Sequence, residues 1–136
     1  MRASLVDALP PAGFPVGFNW DAWVGRSSAS VGNCWEFLRL VLREALGAEL
    51  PPFLDDVVAL RTAAPRVTGW QTVALTTAQP FDVLVFDMSV RRPPHVGVVV
   101  EPGLFLHCLK GGESVVESYH RKFWRDRVSE VYHYNR

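Results

Sequence analysis

Residues 95–108 read His95-Val96-Gly97-Val98-Val99-Val100-Glu101-Pro102-Gly103-Leu104-Phe105-Leu106-His107-Cys108. Two β-rich runs flank Pro102-Gly103, so the stretch is a hairpin, and its register decides what the fold can do. Alternate residues of a strand share a face, which groups His95 with Gly97 and Val99, and His107 with Phe105 and Leu109. The two histidines share a face only where Gly97 pairs with His107. That register requires an odd number of loop residues, three or five, whereas a two-residue turn puts the rings on opposite faces. Pro102 fits poorly in the middle of the commonest three-residue loop, which leaves the turn itself open.

Outward from the hairpin the period-two pattern continues. Asp82–Met88 precedes it, Ser114–Ser118 follows it, and a last strand runs from Val128 to Tyr134. Arg92-Pro93-Pro94 and Gly111-Gly112 supply turns between these runs. Upstream the period changes to three and four. Phe37, Leu38, Val41, Leu42 and Ala45 form one apolar face of a helix that begins at Cys34 and stops at Gly47. The opposite face carries Arg39, Arg43 and Glu44. A second, shorter helix is predicted over 53–61, behind Pro51-Pro52. Residues 8–32 read as an ordered loop wrapping the start of the first long helix, and 62–80 as mostly irregular with one short helical turn near Trp70. Helices first and an antiparallel meander afterwards predict an α+β domain over 1–136. Its N-terminal helices pack on a C-terminal sheet of about five strands.

Composition narrows the function classes. Hydrophobic residues make up 49% of the 136, and 14 basic side chains balance 14 acidic ones. That is enough apolar material for a sizeable core. A phosphate backbone demands a basic field that this chain lacks, so no nucleic-acid partner is expected. No window reaches the roughly 18 to 20 apolar residues of a membrane span, and no membrane insertion is expected. The start, Met1-Arg2-Ala3-Ser4-Leu5-Val6-Asp7, meets Asp7 and Pro10-Pro11 too early to read as an export signal. Cys34 and Cys108 fall far short of disulfide-scaffold density and are predicted to be free thiols.

Cys34 occupies the place where a thiolate is easiest to make. Asn33 is a capping residue, Glu36 can close a capping box, and the thiol of the first helical residue lies against the positive end of the helix dipole. A nucleophile also needs a base, and in the odd hairpin register His95 takes the thiol proton while His107 holds its other ring nitrogen. The expectation is that both histidines share the face turned to the helix, where Gly97 leaves room for the helix or for substrate. Cys108 alternates away from His107 and reads as core. His120 and His133 read as surface or packing residues, and Trp20, Trp35 and Trp70 as packing. A zinc site built from Cys34, His95 and His107 lacks the tight ligand pairs of structural zinc, so no metal or cofactor is expected.

Cysteine on a helix, histidine on a strand and a polar residue on the next strand resemble the order in NlpC-type cell-wall cysteine peptidases, a papain-like group. Asn33-Cys34-Trp35-Glu36-Phe37-Leu38-Arg39 is similar to the family's Asp-Cys-Trp-Gly-Leu-Val-Arg. Phe81-Asp82-Val83-Leu84-Val85-Phe86 is similar to Gly-Asp-Leu-Val-Leu-Phe. His95-Val96-Gly97-Val98 resembles the base strand, and Leu104-Phe105-Leu106-His107 the strand of the third residue. Val115-Val116-Glu117, Trp124, Arg127 and Tyr132-His133-Tyr134 resemble the ending of versions carried by tailed phages and tail-like particles. The resemblance implies a Cys34, His95, His107 triad and a substrate cleft near Trp23, Asn33, Trp35, Glu36 and Gly97. It implies a peptidoglycan stem peptide as substrate, cut at a γ-D-glutamyl to diamino-acid bond. It also implies tail-tip or hub proteins as partners, in a particle made in the bacterial cytoplasm and acting at the cell wall. Asn33, Glu36 and Trp23 depart from the usual Asp, Gly and Tyr, which keeps in view an alternative: a structural or assembly component of the tail tip with little hydrolase activity.

Overall fold

Cys34–Leu46 forms helix α1 in the computed structural model, which describes residues 17–27, 34–48, 69–89, 94–109 and 111–135. The predicted face is the inner one: Phe37, Leu38, Val41 and Leu42 are buried and Ala45 half-buried, Leu46 is buried as well, and Arg43 and Glu44 are in solvent. Gly47 ends the helix at φ 65°, and its amide donates to the Arg43 carbonyl at 3.0 Å. This is the left-handed cap that glycine adopts without strain. Asn33 and the helix predicted over 53–61 lie outside the described residues.

The sheet is antiparallel, as expected, and has six strands rather than about five. They are β1 (Trp70–Thr72), β2 (Val83–Phe86), β3 (His95–Glu101), β4 (Leu104–Cys108), β5 (Ser114–Ser118) and β6 (Val128–Tyr134), in the order β1-β6-β2-β3-β4-β5. The added strand is β1, at the place read as a helical turn near Trp70. It pairs with the chain end through Trp70 opposite Tyr134 and Thr72 opposite Tyr132. The short 3₁₀ turn lies just beyond it, at Leu75–Thr77. Between β5 and β6 a single turn of helix, α2 (Lys122–Arg125), carries Trp124 inward. No described helix is long and apolar enough to cross a membrane.

The hairpin has the odd register but reaches it by another route. Glu101 pairs with Leu104 across a two-residue Pro102-Gly103 turn, which alone would separate the histidines. A bulge in β3 between Val99 and Glu101 then shifts the ladder, so that Val99 faces Phe105 and Val98 faces Leu106. Extending that pairing sets Gly97 opposite His107.

Two apolar layers sandwich the sheet. On one side α1 packs on Val83, Val85, Val96, Val98, Leu106, Cys108 and Tyr132. On the other, Leu84, Phe86, Val99, Phe105, Tyr119, Trp124 and Val131 form a second cluster with no part of α1 in it. The segment before α1 is tied to β5. Ser114 Oγ donates to the Trp23 carbonyl at 2.5 Å, and the Arg26 amide donates to Ser114 Oγ at 2.9 Å.

Phe81 stands where the resembling motif has glycine, and it holds φ 74°, the one non-glycine residue with positive φ among those described. That conformation costs about 1–2 kcal/mol in an L-residue. Burial offsets it, because the ring is 1% exposed and stacks on Trp20 with centroids 4.8 Å apart. A Phe81→Gly variant relieves the strain and loses a ring worth roughly 3 kcal/mol or more on core truncation. It is therefore expected to unfold at a lower urea midpoint.

Candidate active site

Cys34 is the first residue of α1, and its side chain is half-buried against the helix-side core. Desolvation pushes the thiol pKa up from its ordinary value, opposed by backbone hydrogen bonds from Val96, Trp35 and Cys34 itself. Two of these amides belong to the helix start, where N–H groups have no acceptor within the helix itself. The third belongs to β3. The β3–β4 ladder does not include Val96, whose amide is turned to the sulfur. The thiol and Val96, the residue after His95, belong to the same apolar cluster.

His95 opens β3, and its Nε2 lies 2.8 Å from His107 Nδ1 on β4. His107 Nε2 in turn lies 2.6 Å from Glu117 Oε2 on β5. Both rings are held by aromatic packing. His107 stacks on Phe105 at 4.5 Å between centroids, and His95 stacks on Trp124 at 5.7 Å. His107 is fully buried and His95 is 9% exposed. Burial lowers both imidazole pKa values, His95 to about 3 with His107 adding to the effect, while Glu117 opposes the fall at His107. At neutral pH both rings are neutral, and one proton lies in the hydrogen bond between them.

The two histidines share a face, but it is the face away from α1. Their neighbours Phe86, Phe105 and Trp124 belong to the second layer. Gly97 accordingly makes no room for the helix. A Cβ there would come 2.7 Å from Phe105 Cδ2 and 3.1 Å from the Leu106 carbonyl oxygen, so the glycine admits the Phe105 ring that stacks on His107. Among the described residues no hydrogen bond joins the Cys34 sulfur to His95, whose Nε2 is committed to His107. Cys108 is core, as expected, on the same side as Cys34. Both cysteines are free thiols.

The predicted cleft residues separate. Trp35 is 1% exposed and belongs to the helix-side core, so its ring is closed to a ligand. Trp23 is half-buried, with the Arg26 guanidinium 4.1 Å over its ring. Glu36 lies at the surface of the first turn and pairs with Arg39 at 2.9 Å. His133, read as surface or packing, bonds Asp82 at 2.7 Å; the Asp82 carboxyl is raised by burial and also accepts from the Gln79 amide. Sequence reasoning assigns no site role to Glu117 or Trp124, the carboxylate behind His107 and the indole that covers both rings. The signal for Glu117 lies in the register across Gly111-Gly112. That register sets Glu117 opposite Phe105, on the face of His107.

The model of the NlpC/P60 family matches residues 20–133, which contain every residue of this arrangement. The chain belongs to the NlpC/P60 family. Among solved structures, a protein described as similar to lipoprotein, of the NLP/P60 family, from Staphylococcus aureus subsp. aureus Mu50, is similar at 18% identity with a TM-score of 0.57. The likeness covers 76% of this chain and 32% of that one, so the chain spans about a third of that protein's length; at such identity it speaks to the fold. No curated protein matches.

The NlpC/P60 domain carries two measurable consequences of the buried dyad. His95 has a folded-state pKa below its unfolded value, so its contribution to stability is complete above about pH 6.5 and is lost as pH falls toward about 3. Between pH 7 and pH 4 the loss is on the order of 3 kcal/mol. Asp82 shifts in the opposite sense, so the imidazole is isolated by comparison with His95→Gln, whose denaturation midpoint is expected to fall less over that range. Gly97→Ala is expected to cost about 1–3 kcal/mol through overpacking. It should also lower activity per folded molecule, because the displaced Phe105 ring moves His107. Urea titration and a rate assay on the folded fraction measure both effects.

Proposed function

We propose that this domain is a thiol peptidase that cuts the stem peptide of peptidoglycan at a γ-D-glutamyl to diamino-acid bond. The observation that carries the reading is a thiol at the first residue of α1, packed in the same apolar cluster as Val96, one residue from a His95 whose Nε2 is committed to His107. Cys34 Sγ attacks the amide carbonyl as its proton passes to His95 Nδ1. His95 returns the proton to the leaving amine, and water hydrolyses the thioester with the same ring as base. In this reading the Cys34 backbone amide, at the helix start, contributes to the oxyanion hole. In this reading Trp23 lines the approach to the thiol. The thiol pKa is raised and the imidazole pKa lowered, so the resting pair is neutral and proton transfer accompanies attack.

The proposed setting is the tip of a phage tail or tail-like particle, bound to hub proteins and opening the cell wall from outside. Its support is the resemblance of Val115-Val116-Glu117, Trp124, Arg127 and Tyr132-His133-Tyr134 to the endings of such proteins. Peptide mass spectrometry of purified particles from the producing bacterium should detect the chain, and particles that lack it contradict the setting. A second reading, an assembly component with little hydrolysis, is favoured by the missing hydrogen bond between Cys34 and His95. Purified protein incubated with purified peptidoglycan under reducing conditions separates the two. Release of new stem-peptide amines is expected, and none at micromolar enzyme removes the peptidase reading.

A further inference from the structure

We propose that Glu117 is a positioning residue that, through His107, fixes His95 as the tautomer with a bare Nδ1. The inference rests on the peptidase reading for its catalytic meaning, but the chain of hydrogen bonds behind it is independent of that reading. Arg121 Nη1 donates to Glu117 Oε1 at 3.3 Å, so the carboxylate acts as an acceptor there. An anionic carboxylate only accepts hydrogen bonds. His107 Nε2, 2.6 Å from Oε2, therefore carries a proton. A neutral His107 with its proton on Nε2 has a bare Nδ1. The 2.8 Å contact to His95 then needs a donor, which must be His95 Nε2–H. A neutral His95 protonated on Nε2 leaves Nδ1 bare. One part-exposed carboxylate thus sets the direction of two hydrogen bonds and delivers a proton acceptor at the far end.

The same chain stabilises the charge that catalysis creates. When the thiol S–H bond breaks and a proton binds His95 Nδ1, the imidazolium keeps its Nε2–H on His107, whose own Nε2–H points at an anion. No proton leaves the relay in this step. Glu117 touches neither thiol nor substrate in this arrangement, so its effect is expected on the rate of the chemical step rather than on substrate binding. Burial sharpens the dependence. His107 is fully enclosed by Phe105 and Trp124, so bulk water is a poor substitute for the carboxylate on β5.

Glu117 sits part-exposed on β5. Glu117→Gln keeps its shape while its amide donates as readily as it accepts. Glu117→Ala removes the acceptor. The deciding readout is long-range proton–nitrogen correlation NMR of protein labelled with 15N-histidine, which distinguishes the two tautomers of each ring. In the wild type both His95 and His107 are expected to be protonated on Nε2 from pH 6 to 8. In Glu117→Gln and Glu117→Ala a population of His95 protonated on Nδ1 is expected to appear. The kcat for stem-peptide cleavage should fall roughly 10- to 100-fold, within the range for removing one component of a general-base system, with KM changed less than about threefold. Wild-type rings of the opposite tautomer, or variants with unchanged tautomers and kcat, overturn the proposal. A wild type that shows the expected tautomers but cleaves nothing leaves the hydrogen-bond relay standing and removes the peptidase reading.

Discussion

Replacing Cys34 by alanine is expected to reduce stem-peptide cleavage at least about 10³-fold while the protein stays folded. The size follows from the absence of a substitute. The backbone amides around residue 34 survive the change and can still polarise a carbonyl, but alanine offers no nucleophile. Residual hydrolysis then depends on water attacking a bound amide. The thiol is half-buried at the rim of the core. Its loss is expected to shift unfolding free energy by about 1 kcal/mol or less. Cys108→Ala is the matching control. That thiol is 1% exposed inside the core. Truncation there costs stability through a small cavity and leaves the rate per folded molecule unchanged. Amine release by the two variants, corrected for folded fraction, checks both expectations.

His95→Gln is expected to lower kcat by a similar factor, about 10³, with little change in KM. Glutamine keeps an N–H able to donate to His107 Nδ1, so the packing beneath Trp124 survives. It supplies no base. The thiol must then ionise unaided, and desolvation has pushed its pKa above the ordinary 9.0. The residual activity should therefore climb with pH, about tenfold per unit, and still be rising at about pH 9. Wild-type activity should be flat across neutral pH, because His95 is already neutral there, and should fail only in acid as the imidazole takes a proton. A pH–rate profile of the pair measures this. Parallel profiles for wild type and variant would show that His95 is not the base.

The hairpin chemistry is legible in the sequence because period-two runs bounded by glycine and proline leave few alternatives. β3, β5 and β6 occupy the residues read from the pattern, and β4 stops one residue short of it. β1 escapes the pattern because Trp70-Gln71-Thr72 is too short to show a period and is a strand only through its partner β6. The β3 bulge leaves no mark in a run of valines, so the sequence points to the odd register through a turn the protein does not use. The face of the histidines is misread for a related reason. Val96 to Val100 are buried on both sides of the sheet. A strand apolar on both faces does not say which of them receives the helix. Glu117 is hidden by distance in sequence. It lies 10 residues from His107 and becomes a neighbour only when β4 and β5 pair.

Alkylation of the folded protein tests the proposed nucleophile most directly. Iodoacetamide at neutral pH should modify Cys34 before the buried Cys108, and peptide mass spectrometry assigns the site. Loss of stem-peptide cleavage should track carboxamidomethylation of Cys34 one for one, reaching completion at a single equivalent. Undiminished cleavage by protein whose Cys34 is fully alkylated would contradict the assignment of this thiol as the attacking group.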